Sequence, residues 1–313
     1  MTGFKCEHLT KSLGEYRLKD ITFSLEPGLV LGVIGINGSG KTTLLRSILG
    51  SYRLDQTPED GGEIWMDDIH YLRDMKAYRR SIAYTLQSDP YSDFMHVMEI
   101  GEQYGHFYPD FDLKKYKGLL EAYDISPKEM ISVLSKGQKL RVQLAFALSH
   151  PAKLYVFDEP VGNMDVEFRD TFYDAVRELA VKDCCVILSS HLVTELEHVA
   201  DKILWIGKEK EVGFTRFFGS LDELRDGYRL ISVDDETAKE IPEEMICGKR
   251  LRENHKEYLL GAKRKGMGAT GEATKNQQET FFDDKSLPES LRGNLRYPDL
   301  QEIMYFVEKE REE

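Results

Sequence analysis

At 313 residues the chain is long enough for one large or two modest domains with a substantial core, and its composition, 41% hydrophobic and 31% charged, is globular. The net charge is −13 with no basic stripe, which argues against nucleic acid as a partner and against direct docking on an anionic membrane. The cysteines Cys6, Cys184, Cys185 and Cys247 contain no C-x-x-C pair, which argues against a cysteine metal site and fits a reducing cytosol.

In chain order, residues 1–8 lack the apolar core of a signal peptide. No later window approaches the roughly 18 apolar residues of a membrane span, so any work at a membrane needs another chain to cross it. Residues 4–9 and 18–25 alternate apolar and polar side chains, as half-buried strands do. Tyr16 lies 25 positions before Lys41 (41 − 16). Its ring offers a π-face to an adenine base, or equally belongs to a strand surface. Glu26-Pro27-Gly28 signals a turn, and the apolar run over residues 29–34 predicts a buried strand. Gly35-Ile36-Asn37-Gly38-Ser39-Gly40-Lys41-Thr42-Thr43 follows and fits the phosphate-loop pattern G-x-x-x-x-G-K-[ST]. Residues 44–49 then open a helix, with Gly50 placed to cap it. Strand, glycine turn and helix form the geometry that phosphate binding needs. The glycines let the backbone curl so that successive N–H groups face phosphate oxygens, and the helix N-terminus adds partial positive charge. Lys41 is placed for the β- and γ-phosphates and the Thr42 hydroxyl for Mg2+.

Residues 63–66 predict a hairpin strand, residues 70–80 a short charged helix, and residues 81–86 a strand ending in Gln87, within reach of a metal ion or an attacking water. Residues 88–133 are rich in aromatics, with helical spacing over 95–107 and 113–123, and predict an inserted helical subdomain. Most of those rings belong to its own core, and some are available to a partner. The small polar loop over 133–141 opens a long helix and makes a second N-terminal anion site. Residues 154–157 are a wholly apolar strand tipped by Asp158-Glu159. A carboxylate at a strand end suits Mg2+, and a second beside it can orient or deprotonate water. Asp165 lies in the next turn, residues 166–180 predict a helix, and residues 184–188, within the apolar run over 181–188, predict a buried strand. His191 follows at the tip of that strand, where open α/β sheets place their ligands. Residues 192–200 read as a helix and residues 203–213 as a final hairpin. Beyond about residue 220 the pattern weakens. It leaves a capping pair at Ser220 and Glu223, a loop over 261–278, and a terminal helix over 299–309 with Leu300, Ile303, Met304 and Val307 on one face.

Lys41, Gln87, the loop from Leu134 to Gln138, Asp158-Glu159, Asp165 and His191 stand in the order and approximate spacing of an ABC-family ATPase subunit, which residues 4–220 resemble. The resemblance implies an α/β fold: a RecA-like phosphate-loop NTPase core, an N-terminal antiparallel β subdomain and an inserted helical subdomain over about 88–150. These make a domain over 1–219, followed by a small α+β extension over 220–313 of unassigned role. It further implies that Asn37, Gly38, Ser39, Gly40, Lys41, Thr42 and Thr43 hold the phosphates of ATP, and that Thr42, Gln87 and Asp158 serve Mg2+. Ser135, Gly137 and Gln138 of the signature loop would contact the γ-phosphate on a second subunit. Glu159 would be the general base, with Gln87 and His191 completing the hydrolytic set.

Three departures matter. Lys136 stands where the common signature has glycine, as in subunits of ABC-2-type exporters. The adenine-stacking aromatic should fall near Leu13, which leaves Tyr16 as its candidate replacement. Residues 161–165 read Val-Gly-Asn-Met-Asp in place of Thr-Ser-Gly-Leu-Asp, so changed communication between sites is expected, not lost hydrolysis. Residues 219–224 and 297–304 are also similar to the ends of exporter-type subunits. The implied function is to couple ATP-driven closure of two such subunits, identical or paralogous, to export through a polytopic membrane permease. The chain would then sit peripherally on the inner face of the cell membrane. The alternative is a soluble ABC-family ATPase acting on ribosomes or DNA. A single phosphate loop, no visible coiled-coil insertion and the acidic charge count against it.

Overall fold

The computed structural model describes residues 3–55, 62–108, 110–190, 193–252, 255–261 and 282–309. It divides into two units, residues 1–192 with 199–218, and residues 193–198 with 219–313.

The first unit is built on one ten-stranded sheet. β1 (Phe4–Leu13) and β2 (Tyr16–Leu25) form an antiparallel hairpin, and the alternation of Leu18, Ile21, Phe23 and Leu25 buries one of its faces. β3 (Val30–Ile34) is buried along its whole length and feeds α1 (Lys41–Ile48). The expected capping glycine, Gly50, follows that helix at φ 69. β4 (Glu63–Met66), β5 (Ile69–His70), α2 (Met75–Arg80) and β6 (Ile82–Thr85) come next. The aromatic-rich insertion folds as α3 (Val97–Tyr104) and α4 (Leu113–Ala122), ahead of α5 (Lys136–Leu148). Tyr116 and Tyr123 are buried there, and Phe146 of α5 gathers Tyr91, Tyr108, Phe111 and Tyr116 around it. β7 (Leu154–Asp158), α6 (Val166–Val181), β8 (Cys185–Ser189), β9 (Lys202–Glu209) and β10 (Val212–Ser220) complete the sheet. Its order is β5-β4-β1-β2-β10-β9-β3-β8-β7-β6, with an antiparallel end and a parallel run from β9 to β6.

The apolar run over 181–188 is not all strand. α6 continues through Val181, which is 85% exposed, and Asp183 turns the chain at φ 57 before β8 begins at Cys185. The helical stripe Phe168, Phe172, Val176 and Leu179 carries the chain to that point.

The second unit opens with α7 (Val193–Leu196), one turn where a longer helix was expected, and α8 (Leu221–Asp226), whose N-terminus carries the expected Ser220–Glu223 capping box. β11 (Tyr228–Val233), β12 (Ile246–Leu251), β13 (Lys256–Gly261), α9 (Glu289–Arg292), β14 (Leu295–Arg296) and α10 (Leu300–Lys309) follow. The strands form a second sheet in the order β12-β13-β11-β14, which the weak periodicity there did not announce. In α10, Leu300, Ile303, Phe306 and Val307 are buried and Met304 is half-buried, so the buried stripe includes Phe306, which was not on the expected face. Most of the predicted loop over 261–278 lies outside the described residues. Among the described residues, no helix is long and apolar enough to cross a membrane.

Candidate active site

The site is assembled at the C-terminal ends of parallel strands. β3 lies beside β8, β8 beside β7, and β7 beside β6. This register brings together the loop after β3, Asp158 at the end of β7 with Glu159 just past it, Ser189 at the end of β8 and Gln87 just past β6.

The loop from Gly35 to Thr43 enters α1 through Gly40 at φ 107, a backbone conformation that a side chain would strain. Asn37 and Gly38 are exposed, Ser39 is buried, and Thr42 and Thr43 are half-buried in the first helical turn. Lys41 is only 6% exposed, and its Nζ donates to the carbonyls of Gly35 at 2.8 Å and Ile36 at 3.3 Å. Burial lowers its pKa, while the charges of Glu159 and Asp158 oppose that shift. A buried ammonium held by carbonyl dipoles is a strong attractor for an anion.

Asp158 is 1% exposed, and burial pushes its pKa up. The Ser189 hydroxyl donates to its Oδ1 at 2.8 Å, and the Thr42 hydroxyl also bonds it; both bonds favour the charged form, whereas the neighbouring Glu159 charge opposes it. Ser189 Oγ also accepts the Glu159 backbone N–H at 2.9 Å. Glu159 is held in the left-handed region at φ 49, and its Oε2 accepts a hydrogen bond from Gln87 Nε2 at 3.1 Å. One bonded chain therefore runs from Asp158 through Ser189 and Glu159 to Gln87. The Thr42 hydroxyl, the Asp158 carboxylate and the Gln87 amide oxygen are hard oxygen donors, the type that suits Mg2+.

Ser135, Gly137 and Gln138 form a second group at the start of α5. Ser135 Oγ accepts from the Gln138 N–H at 3.2 Å, and Gln138 Oε1 accepts from the Ser135 N–H at 2.9 Å. That capping box orders the first turn of α5. The same helix reaches the other motifs. Buried Gln143 accepts the Leu86 N–H at 2.8 Å, beside Gln87, and Arg141 pairs with Asp165, whose Oδ1 caps α6 at the Phe168 N–H, 2.9 Å away. Ser189, Gln143 and Arg141 were not singled out from the sequence. The signal for Ser189 was its place just beyond an apolar strand, but its partner on β7 is set by register.

Tyr16 sits at the start of β2 with its hydroxyl turned into the phosphate loop, donating to the Ser39 carbonyl at 2.6 Å. Burial raises its pKa to about 12, helped by the nearby Glu211 charge. Leu13, near which the resemblance put the adenine-stacking aromatic, is 37% exposed at the end of β1. His191 lies outside the described residues.

Residues 18–162 match the family model described as ABC transporter. The chain is 30% identical over 234 residues to the phosphonates import ATP-binding protein PhnC of Treponema denticola, covering 68% of this chain and 87% of that protein. It is 27% identical over 231 residues to the Nod factor export ATP-binding protein I of Rhizobium etli, covering 72% of this chain and 71% of that protein. A solved ATP-binding subunit of an ABC transporter superposes with a TM-score of 0.64 at 22% identity, over 72% of this chain and 92% of that one, a likeness of fold. On these similarities the chain belongs to the ATP-binding subunits of the ABC transporter family and is an ATP hydrolase.

Proposed function

We propose that the subunit works as a pair, either two copies or one copy with a paralogue, with Mg·ATP held between them. Closure of the pair drives export through a separate polytopic permease, with the chain peripheral on the inner face of the membrane. The observation that carries this reading is the bonded chain Asp158–Ser189–Glu159–Gln87 beside the buried Lys41.

Within that reading Asn37 through Thr43 cradle the phosphates through backbone amides, with Lys41 supplying charge. Thr42, Asp158 and Gln87 hold Mg2+, which when bound neutralises charge on the transferred phosphoryl group. Glu159 orients and deprotonates the attacking water, held for this by the Gln87 amide, and the family resemblance assigns His191 to the same hydrolytic set. Ser135, Gly137 and Gln138 present the N-terminal amides of α5 to ATP on the second subunit. The aromatic insertion supports a permease contact. Phe94 and Phe107 are 84% and 68% exposed, and Phe107 borders a groove of about 240 Å³ shared with Tyr84, Tyr91 and Tyr104. Export is read from Lys136 in the signature and from the tail, because the relatives' names include both an importer's and an exporter's subunit.

The test is detergent purification of the chain from its native membranes, followed by identification of what accompanies it. A stoichiometric polytopic protein without a phosphate loop supports the transporter reading, and its family sets the direction. Recovery free of membranes, with ribosomes or with nothing, moves the reading to a permease-free ATPase.

A further inference from the structure

The hydroxyl of Tyr16 fills a space that two glycines leave open. A Cβ on Gly40 would lie 2.0 Å from it, and a Cβ on Gly213 would lie 2.2 Å from it. β2 and β10 pair in parallel with Gly213 opposite Leu18, and this register brings the strand bearing Tyr16 and the small residue together under the loop. The carbonyl that Tyr16 holds belongs to Ser39, a fully buried residue whose Oγ is 2.5 Å from where a Cβ on Gly35 would stand. In a trans peptide the carbonyl of one residue and the N–H of the next point in opposite directions. Anchoring the Ser39 carbonyl on Tyr16 therefore turns the Gly40 N–H to the opposite side, the concave face that receives phosphate. Lys208 closes the arrangement from outside. Its Nζ stands 5.8 Å from the Tyr16 ring centroid, 3.8 Å from the point that a Cβ on Gly38 would occupy, and 3.4 Å from Glu211.

We propose that Tyr16 is a positioning residue of the ATP site, fixing the Ser39–Gly40 peptide for phosphate, with Lys208 holding its ring, and that it does not serve as the adenine platform. The proposal rests on the loop from Gly35 to Thr43 being the phosphate cradle.

The experiment titrates the full chain with Mg·ATP, Mg·GTP and inorganic tripolyphosphate, and measures steady-state ATP hydrolysis. Tyr16→Phe keeps the ring and removes the hydroxyl. Its Kd is expected to rise about three- to ten-fold for all three ligands, the scale of one lost hydrogen bond. KM for ATP rises with it, while kcat at saturating ATP stays within about two-fold of wild type. Unchanged affinities overturn the proposal. A loss confined to the nucleotides, with tripolyphosphate binding intact, places the residue at the base and also overturns it. Lys208→Met provides a second variant that leaves the Tyr16 hydroxyl in place. It is expected to weaken tripolyphosphate about two- to three-fold, with Lys208→Arg restoring it, and an unchanged affinity removes Lys208 from the arrangement. Lys41→Ala separates the two readings: wild-type tripolyphosphate binding in that variant overturns the phosphate cradle itself, whereas wild-type binding in Tyr16→Phe alone overturns only the role of Tyr16.

Discussion

Ser189 donates its hydroxyl to Asp158 across 2.8 Å, from the position directly opposite it on the neighbouring strand, and the same oxygen accepts the Glu159 backbone N–H. A single hydroxyl therefore sets the orientation of one carboxylate and the backbone of the next. Ser189→Ala leaves the Glu159 N–H without that acceptor and Asp158 without a bond that favours its charged form. Turnover is expected to fall about ten- to one-hundred-fold, with ATP affinity changed by only a few-fold. Steady-state kinetics check it, and a wild-type kcat would remove Ser189 from the hydrolytic machinery.

Glu159→Gln preserves shape and removes the basic oxygen. ATP binding is expected to persist while turnover drops at least about one-hundred-fold, the usual scale of general-base loss. With hydrolysis stalled, ATP should hold two chains together. Size-exclusion chromatography with and without Mg·ATP reads this directly, and a monomer that still hydrolyses ATP would contradict both expectations.

Burial raises the pKa of Asp158 above its ordinary 3.8, so over that interval the folded chain binds more protons than the unfolded one. Its contribution to stability therefore falls as pH climbs from the ordinary carboxylate value to the raised one, and stays low above that. Asp158→Asn removes the buried charge. In the nucleotide-free chain it is expected to raise Tm by a few degrees at neutral pH, with the gain vanishing at the acid end. Thermal melts of both proteins across that range test the sign, and a gap that widens on acidification would refute it.

Phe94 and Phe107 are the exposed rings of the aromatic insertion. Replacing either with serine is expected to reduce recovery of the permease several-fold in a pull-down from native membranes. ATP hydrolysis by the isolated chain should stay within about two-fold of wild type. Full permease recovery with both replaced would move the contact elsewhere.

Much of the first unit was legible because its signals are local. An apolar run of five residues at β3 or four at β7 reads as a buried strand whatever surrounds it, and in the second unit the Ser220–Glu223 capping pair needs only its own turn. The second sheet was not legible, because β11 and β12 lack clean alternation and β11, at its centre, gains its partners only through non-local pairing.

The amino-acid sequence by itself determined the candidate groups of the site and their order: Lys41, Gln87, the loop from Leu134 to Gln138, Asp158 and Glu159. Each is marked by residue type and a short flanking pattern, and those are properties of the chain. Only the tertiary structure decided who bonds to whom. Gln87 meets Glu159 across 72 positions, Ser189 meets Asp158 across 31, and Tyr16 meets Ser39 across 23. Those contacts follow from strand order and register, which are set by how distant segments bury their apolar faces against one another. The same register bonds the Tyr16 hydroxyl to the Ser39 carbonyl beneath the glycine loop.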